Sequence, residues 1–204
     1  MDTRSFARWI AAVLAGVLCG EGLAAAVTYS GDFDLRIPAE IGTTKGWMED
    51  AVIVVPDHFA IEDLDVCISI IHGNAFDLQI FLKSPADTIM LLNMYDPFTE
   101  YFEGEGYSGT VFDDEAAAPI ESGKAPFAGR FRPKEPEKLS IFDGEDAYGT
   151  WHLQVYDAFY ADTGELKKFE LIMTVPEPDS AVLFLLGGAA LLSVQRADRS
   201  SQMD

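Results

Sequence analysis

Leu64-Asp-Val-Cys-Ile-Ser-Ile70, His72-Gly73-Asn74, Phe76-Asp-Leu-Gln-Ile-Phe-Leu82 and Ser84-Pro85-Ala-Asp87 follow one another without a gap long enough for a helix. The two apolar runs alternate with period two, which places Leu64, Val66, Ile68 and Ile70 on one face of a strand. The Gly, Asn, Pro and Asp residues between them are turn formers. The same pattern continues on both sides. Upstream, Ala51-Val-Ile-Val-Val55 is a β-branched run ended by Pro56. Downstream come Thr88-Ile-Met-Leu-Leu92, Thr150-Trp-His-Leu-Gln-Val-Tyr156 after the Gly144–Gly149 turn, and a strand from Leu166 to Thr174 after the tight turn Asp162-Thr-Gly164. Short strands separated by turns predict an all-β, antiparallel, jelly-roll-like β-sandwich of about eight strands. Residues 94–149 are less regular and are expected to form a long loop carrying one or two strands.

Charge narrows the function classes. The chain carries 34 Asp+Glu against 14 Lys+Arg, a net charge of −20. Between residues 27 and 174 the counts are 28 and 10, so 18 of those negative charges lie in the middle of the chain. Such a polyanion repels phosphate backbones, which sets nucleic acid aside as a partner. The same charge suits divalent cations. A hydrophobic content of 49% with 14 Phe argues for a packed core. Of two cysteines, Cys19 lies in a segment expected to be removed. Cys67 then has no disulfide partner and reads as a small buried hydrophobe.

The two ends read as targeting segments. A basic start through Arg4 and Arg8 precedes the apolar run Trp9–Leu18, and the segment closes on Gly22-Leu-Ala-Ala-Ala26. That order describes a secretory signal peptide over residues 1–26, cleaved after Ala26. Gly16-Val17-Leu18 before Cys19 does not fit a lipobox. Residues 27–49 are then a lead-in with a first strand, and residues 50–174 the sandwich. Residues 175–204 hold Val175-Pro176-Glu177-Pro178, an apolar helix from Ala181 to Val194, and the basic Arg196 and Arg199. The apolar run is short but able to span a membrane, with the arginines on the cytoplasmic side. This tail resembles the PEP-CTERM sorting signal, with Pro176, Glu177 and Pro178 as its cleavage region. The resemblance implies processing by exosortase, a membrane protease-transpeptidase of Gram-negative bacteria. It implies transient anchoring in the inner membrane, then release to the cell envelope or extracellular matrix.

The middle resembles the P domain (P/Homo B) of proprotein convertases and bacterial subtilases. The resemblance is carried by His72-Gly-Asn-Ala-Phe-Asp77-Leu78, Ser84-Pro85-Ala-Asp87-Thr88, Gly149-Thr150-Trp151-x-Leu153-x-Val155-x-Asp157, Asp162-Thr-Gly164-x-Leu166, and Phe169-x-Leu171. It implies a jelly-roll-like sandwich that supports catalysis elsewhere and performs none itself. Two departures stand out: Ala86-Asp87 where a Gly usually follows the Pro, and Phe169 where Trp is usual. Asp is a competent turn residue and one large aromatic replaces another, so neither departure breaks the fold.

Three histidines, His58, His72 and His152, are the only conventional bases in the middle region, and no Gly-x-Ser-x-Gly accompanies them. His72 is expected to be a hairpin-turn residue that bonds backbone groups. Cys/His spacing for zinc and a phosphate-binding glycine loop are lacking. Acid pairs suited to glycoside hydrolysis cannot be told from chance among 28 carboxylates. Calcium is the expected cofactor. Asp113, Asp114, Asp157 and Asp162 are its candidate ligands, since calcium takes six to eight oxygens from adjustable loops. Bacterial members of the resembled family often carry calcium. Glu62, Asp63 and Asp65 form a second acidic group.

These readings describe an exported, non-enzymatic surface or matrix protein whose P-domain-like module binds extracellular polysaccharide or an envelope protein. One alternative is a carbohydrate-binding jelly roll that uses Tyr95, Phe98, Tyr101, Phe102 and Tyr107 as a platform; packing of those rings onto the sandwich is the favoured reading. The other is an accessory domain for a secreted subtilisin-like protease.

Overall fold

A computed structural model describes residues 12–13, 25–93, 105–160 and 162–175. The described residues form an all-β protein of two sheets. Eleven strands are present: β1 (Ala12–Val13), β2 (Ala25–Ile37), β3 (Gly46–Trp47), β4 (Ala51–Val55), β5 (Asp63–His72), β6 (Leu78–Lys83), β7 (Ile89–Asn93), β8 (Tyr107–Phe112), β9 (Phe127–Phe131), β10 (Gly149–Asp157) and β11 (Gly164–Val175). Two of them, β1 and β3, are only two residues long, which accounts for much of the excess over eight.

The larger sheet has the order β1-β2-β11-β5-β8-β9. The smaller has β3-β10-β6-β7, with β4 beside β3 on the same edge of β10. Among the strands of the described residues the expected antiparallel pairing holds except at one place. Strands β8 and β9 are parallel, with Val111 opposite Arg130 and Phe112 opposite Phe131. The chain between them, residues 113–126, is long enough for the crossover that a parallel pair requires. A hairpin would have forced the antiparallel arrangement. The irregular stretch does hold two strands, β8 and β9, as expected. The expected C-terminal apolar helix lies outside the described residues.

The core is the alternation read from the sequence. Leu64, Val66, Ile68 and Ile70 of β5 point inward with Leu166, Phe169, Leu171 and Met173 of β11. Opposite them lie Leu78, Ile80 and Leu82 of β6 and Trp151, Leu153 and Val155 of β10. Phe169, the residue in place of Trp, is fully buried. Cys67 is buried too, but it lies on the outward side of β5 and outside the core cluster. Burial and its hydrogen-bonded neighbour Glu170 push the Cys67 thiol up to about 11.

The β6–β7 connection shows how the missing glycine is replaced. Asp87 N–H donates to Ser84 O at 3.1 Å, and Ser84 N–H to Thr88 O at 2.9 Å. Asp87 itself adopts φ 65. A turn of this kind closes a hairpin with one residue in the left-handed region, which Asp tolerates better than most side chains.

Candidate functional site

Two crossovers between the sheets meet at one end of the sandwich. Residues 73–77 lead from β5 in the larger sheet to β6 in the smaller, and residues 158–163 lead from β10 back to β11. His72 therefore does not sit in a hairpin turn, because β5 and β6 belong to different sheets. Its ring pins the corner where they part. His72 Nε2 donates to Asp157 Oδ2 at 3.0 Å, and both side chains are fully buried. The other ring nitrogen, Nδ1, accepts from Asn74 N–H at 3.2 Å and lies 2.8 Å from the Asn74 carbonyl oxygen, so the expected backbone contact is present. Asp157 also accepts from Phe159 N–H at 3.1 Å. Asp77, buried beside this pair, accepts from Asn74 Nδ2 at 3.0 Å. Burial, together with the neighbouring charges of Asp157 and Asp162, pushes the Asp77 carboxyl up to about 6. Two glycines let the crossovers close on each other. A Cβ on Gly164 would lie 2.4 Å from Ile71 O, and one on Gly73 would lie 2.5 Å from Asp162 Oδ1.

The other two candidate calcium ligands lie at the edge of the larger sheet. Asp113 accepts from Arg130 Nε at 2.7 Å and from Glu115 N–H at 2.7 Å. The same guanidinium holds Asp65 through its Nη2. Burial, joined by the neighbouring charges of Asp113 and Asp63, pushes the Asp65 carboxyl up despite Arg130. At Asp113 burial is outweighed by Arg130 and the Glu115 backbone, so its carboxyl falls below the ordinary value. Asp114 accepts from Leu139 N–H and Ser140 N–H, both at 2.9 Å, at the start of the short 3₁₀ turn Leu139–Phe142. The four acids are thus not one set. Asp113 and Asp157 both accept side-chain and backbone donors, and Asp114 accepts two backbone donors. Among the described residues no three His, Cys, Asp or Glu are grouped to hold a metal ion.

Each histidine has a carboxylate partner. His58 Nδ1 meets Asp146 Oδ2 at 2.8 Å while its ring stacks on Tyr148 with centroids 3.9 Å apart, and His152 Nδ1 meets Asp50 Oδ2 at 3.1 Å. None of the three bonds a Ser, Thr or Cys side chain among the described residues, so a nucleophile is missing from each His–Asp pair.

The outer faces of the two sheets differ. On the larger sheet the outward side chains are laced by ion pairs, among them Lys167 to Asp34 and Lys168 to Glu170, both at 2.9 Å. On the smaller sheet, outward positions of β10 and its neighbours carry rings and amides. Trp47 is 52% exposed, with its ring centroid 4.9 Å from Tyr156 and 5.9 Å from Phe81. Next to them Gln154 Nε2 donates to Asp50 Oδ2 at 2.9 Å. Sequence reasoning passed over this face. The signal was the polar and aromatic half of the β10 alternation, Thr150, His152, Gln154 and Tyr156, between the buried Trp151, Leu153 and Val155. Of the proposed platform rings only Tyr107 is described. It is buried and stacks on Phe127 at 5.2 Å, so it packs onto the sandwich and offers nothing to a sugar. Tyr95, Phe98, Tyr101 and Phe102 lie outside the described residues, as do Pro176, Glu177 and Pro178. Ala26 is exposed near the start of β2.

Fold and site together define a β-sandwich in which the buried His72–Asp157 pair fastens one sheet to the other. The family model for the proprotein convertase P-domain matches residues 61–173, more than half of the chain. The chain belongs to that family. No curated protein matches it. Among solved structures it is similar to a crystal structure of a serine protease of Aeromonas sobria, at 16% identity and a TM-score of 0.45, over 77% of this chain and 28% of the protease chain. A complex of the Aeromonas sobria serine protease with the chaperone gives the same identity and TM-score over 78% of this chain and 28% of that one. The chain therefore spans less than a third of the length of either match.

Proposed function

We propose that this protein is an exported, non-enzymatic P-domain module of the envelope or extracellular matrix of a Gram-negative bacterium, released by exosortase at Pro176–Pro178. The observation that supports it best is the use made of the candidate catalytic residues. Among the described residues His72 and Asp157 are the most buried acid–base pair, and they join one sheet to the other. A module of this kind acts by presenting surfaces, and its partner is a polysaccharide or an envelope protein. A secreted subtilisin-like protease is the second reading, supported by membership of the convertase P-domain family.

The test is carried out in the native host. An epitope tag goes into the exposed turn at residues 40–43, where Ile41 is 85% exposed; a site beside Ala26 would interrupt the pairing of Val27 with Met173. Intact masses are then recorded in inner-membrane, outer-envelope and matrix fractions. A form beginning near Val27, ending near Pro176–Pro178 and lying outside the inner membrane is the expected result. A full-length C-terminus confined to the inner membrane overturns the sorting reading. Co-purification with a subtilase would favour the protease-accessory reading.

A further inference from the structure

We infer that the outer face of the smaller sheet binds a neutral polysaccharide strand, along a strip formed by Tyr160, Trp47, Tyr156, Phe81, Gln154 and Asp50. The inference deepens the proposed function, because it names the ligand class of an exported module, and it rests on that reading for the ligand's presence.

The strip is preorganised. Trp47 is exposed, yet its backbone is held on both sides: Ala39 N–H donates to Trp47 O at 2.8 Å, and Met48 N–H donates to Val155 O at 2.8 Å. Its ring is tilted 50° against Tyr156 and 42° against Phe81, so the three rings form a stepped surface. Tyr160, 71% exposed, extends the surface past the end of β10, with Lys45 Nζ 5.0 Å over its ring. Gln154 and Asp50 continue it along the strand, locked to each other and to His152. A binding surface whose side chains are already fixed loses little conformational entropy on association.

The chemistry selects the occupant. A pyranose ring is apolar on its faces, where C–H groups point, and polar at its rim, where hydroxyls point. Aromatic rings flanked by an amide and a carboxylate match both halves. Charge removes the competitors. Lys45 and Asp50 cancel within the strip, while the chain as a whole carries −20, so an anionic polysaccharide or an anionic membrane is repelled. Among the described residues the opposite outer face, with its Lys167, Lys168, Glu165 and Glu170 pairs, presents no comparable ring cluster and serves as an internal control.

The test is native electrophoresis of the full-length protein through gels cast with hydroxyethylcellulose, with galactomannan, or with alginate. Retardation by at least one neutral polymer and none by alginate is expected. Trp47→Ala should weaken that retardation by about tenfold or more, as truncation of a central aromatic anchor does. Trp47→Phe should recover part of it, and Lys167→Ala on the opposite face should leave it unchanged. Thermal melts of each variant separate lost binding from lost fold. Migration unaffected by both neutral polymers, retardation indifferent to Trp47→Ala, or retardation by alginate alone would overturn the inference. Any of these results leaves the fractionation outcome, and with it the proposed function, standing on its own.

Discussion

Asp113 and Asp157 each close an alternating strand, and each sits among other acids, yet the protein solves the two positions differently. At Asp113, on the edge of the larger sheet, the compensating group is a full positive charge: Arg130 spans Asp113 and Asp65, and the Arg130 side chain remains 52% exposed. At Asp157, in the corner between the sheets, the side chain is fully buried and the compensation is a hydrogen-bonded imidazole. The half-solvated site can carry extra negative charge because solvent and salt screen it. The buried site cannot, and the strain of that arrangement appears on Asp77, which is held partly protonated near neutral pH. Similar letters in sequence therefore mark an ordinary surface ion network in one place and a costly internal fastening in the other.

The contrast can be broken most forcefully at the corner. Asp157→Ala, or His72→Ala, should cost roughly 3–5 kcal/mol in urea melts at pH 7, the usual penalty for removing one partner of a buried pair. A loss under about 1 kcal/mol would mean the corner is wetter than its burial indicates.

The next effect depends on pH. Asp77 has a folded-state value of about 6 against an ordinary 3.8, so protonation favours the folded state. Its contribution is full below about pH 4 and is lost as pH rises through 6. Asp77→Asn keeps the Oδ1 acceptor for Asn74 and removes the charge. At pH 8 it should stabilise the protein by roughly 2–3 kcal/mol, and at pH 4 by almost nothing. Equal melting shifts at both pH values would count against the buried-charge account.

Arg130→Met tests the solvated site and should cost about 1–2 kcal/mol, less than the corner because the guanidinium is half in water. The cost should grow at low salt, where Asp65 and Asp113 face each other unscreened. The smallest effect concerns calcium. With the Asp113, Asp114 and Asp157 carboxylates already serving protein donors, melting midpoints in excess calcium and in chelator should agree within about 1 °C. A rise of several degrees would restore a metal site.

The strands were legible because alternation is a local property: β4, β5, β6, β7, β10 and β11 each lie within a few residues of their expected bounds. Sheet membership was not local. Nothing in His72-Gly73-Asn74 distinguishes a hairpin from a crossover, since both need the same turn chemistry, and the choice depends on which distant strand β6 finds. The parallel β8–β9 pair was hidden for the same reason. What the acids meet was not legible either. The spacing of Asp113, Asp114, Asp157 and Asp162 holds no record of the donors that meet them, because Arg130 and the backbone at Leu139 and Ser140 come from elsewhere in the chain. The aromatic strip was written in the outward half of β10, and only the inward half was read.

One pairing carries a mechanical meaning. Val27, where the exported chain is expected to begin, lies opposite Met173 near the end of β11, so the domain's entrance and exit share one end of one antiparallel ladder. Tension applied between those two points would open the ladder like a zipper, breaking its hydrogen bonds one after another from the end instead of loading them together. Held by a single end, the same domain transmits no load through its sheets and hangs as a pendant. The fold is therefore suited to display from one attachment point and poorly suited to service as a link in a stretched chain.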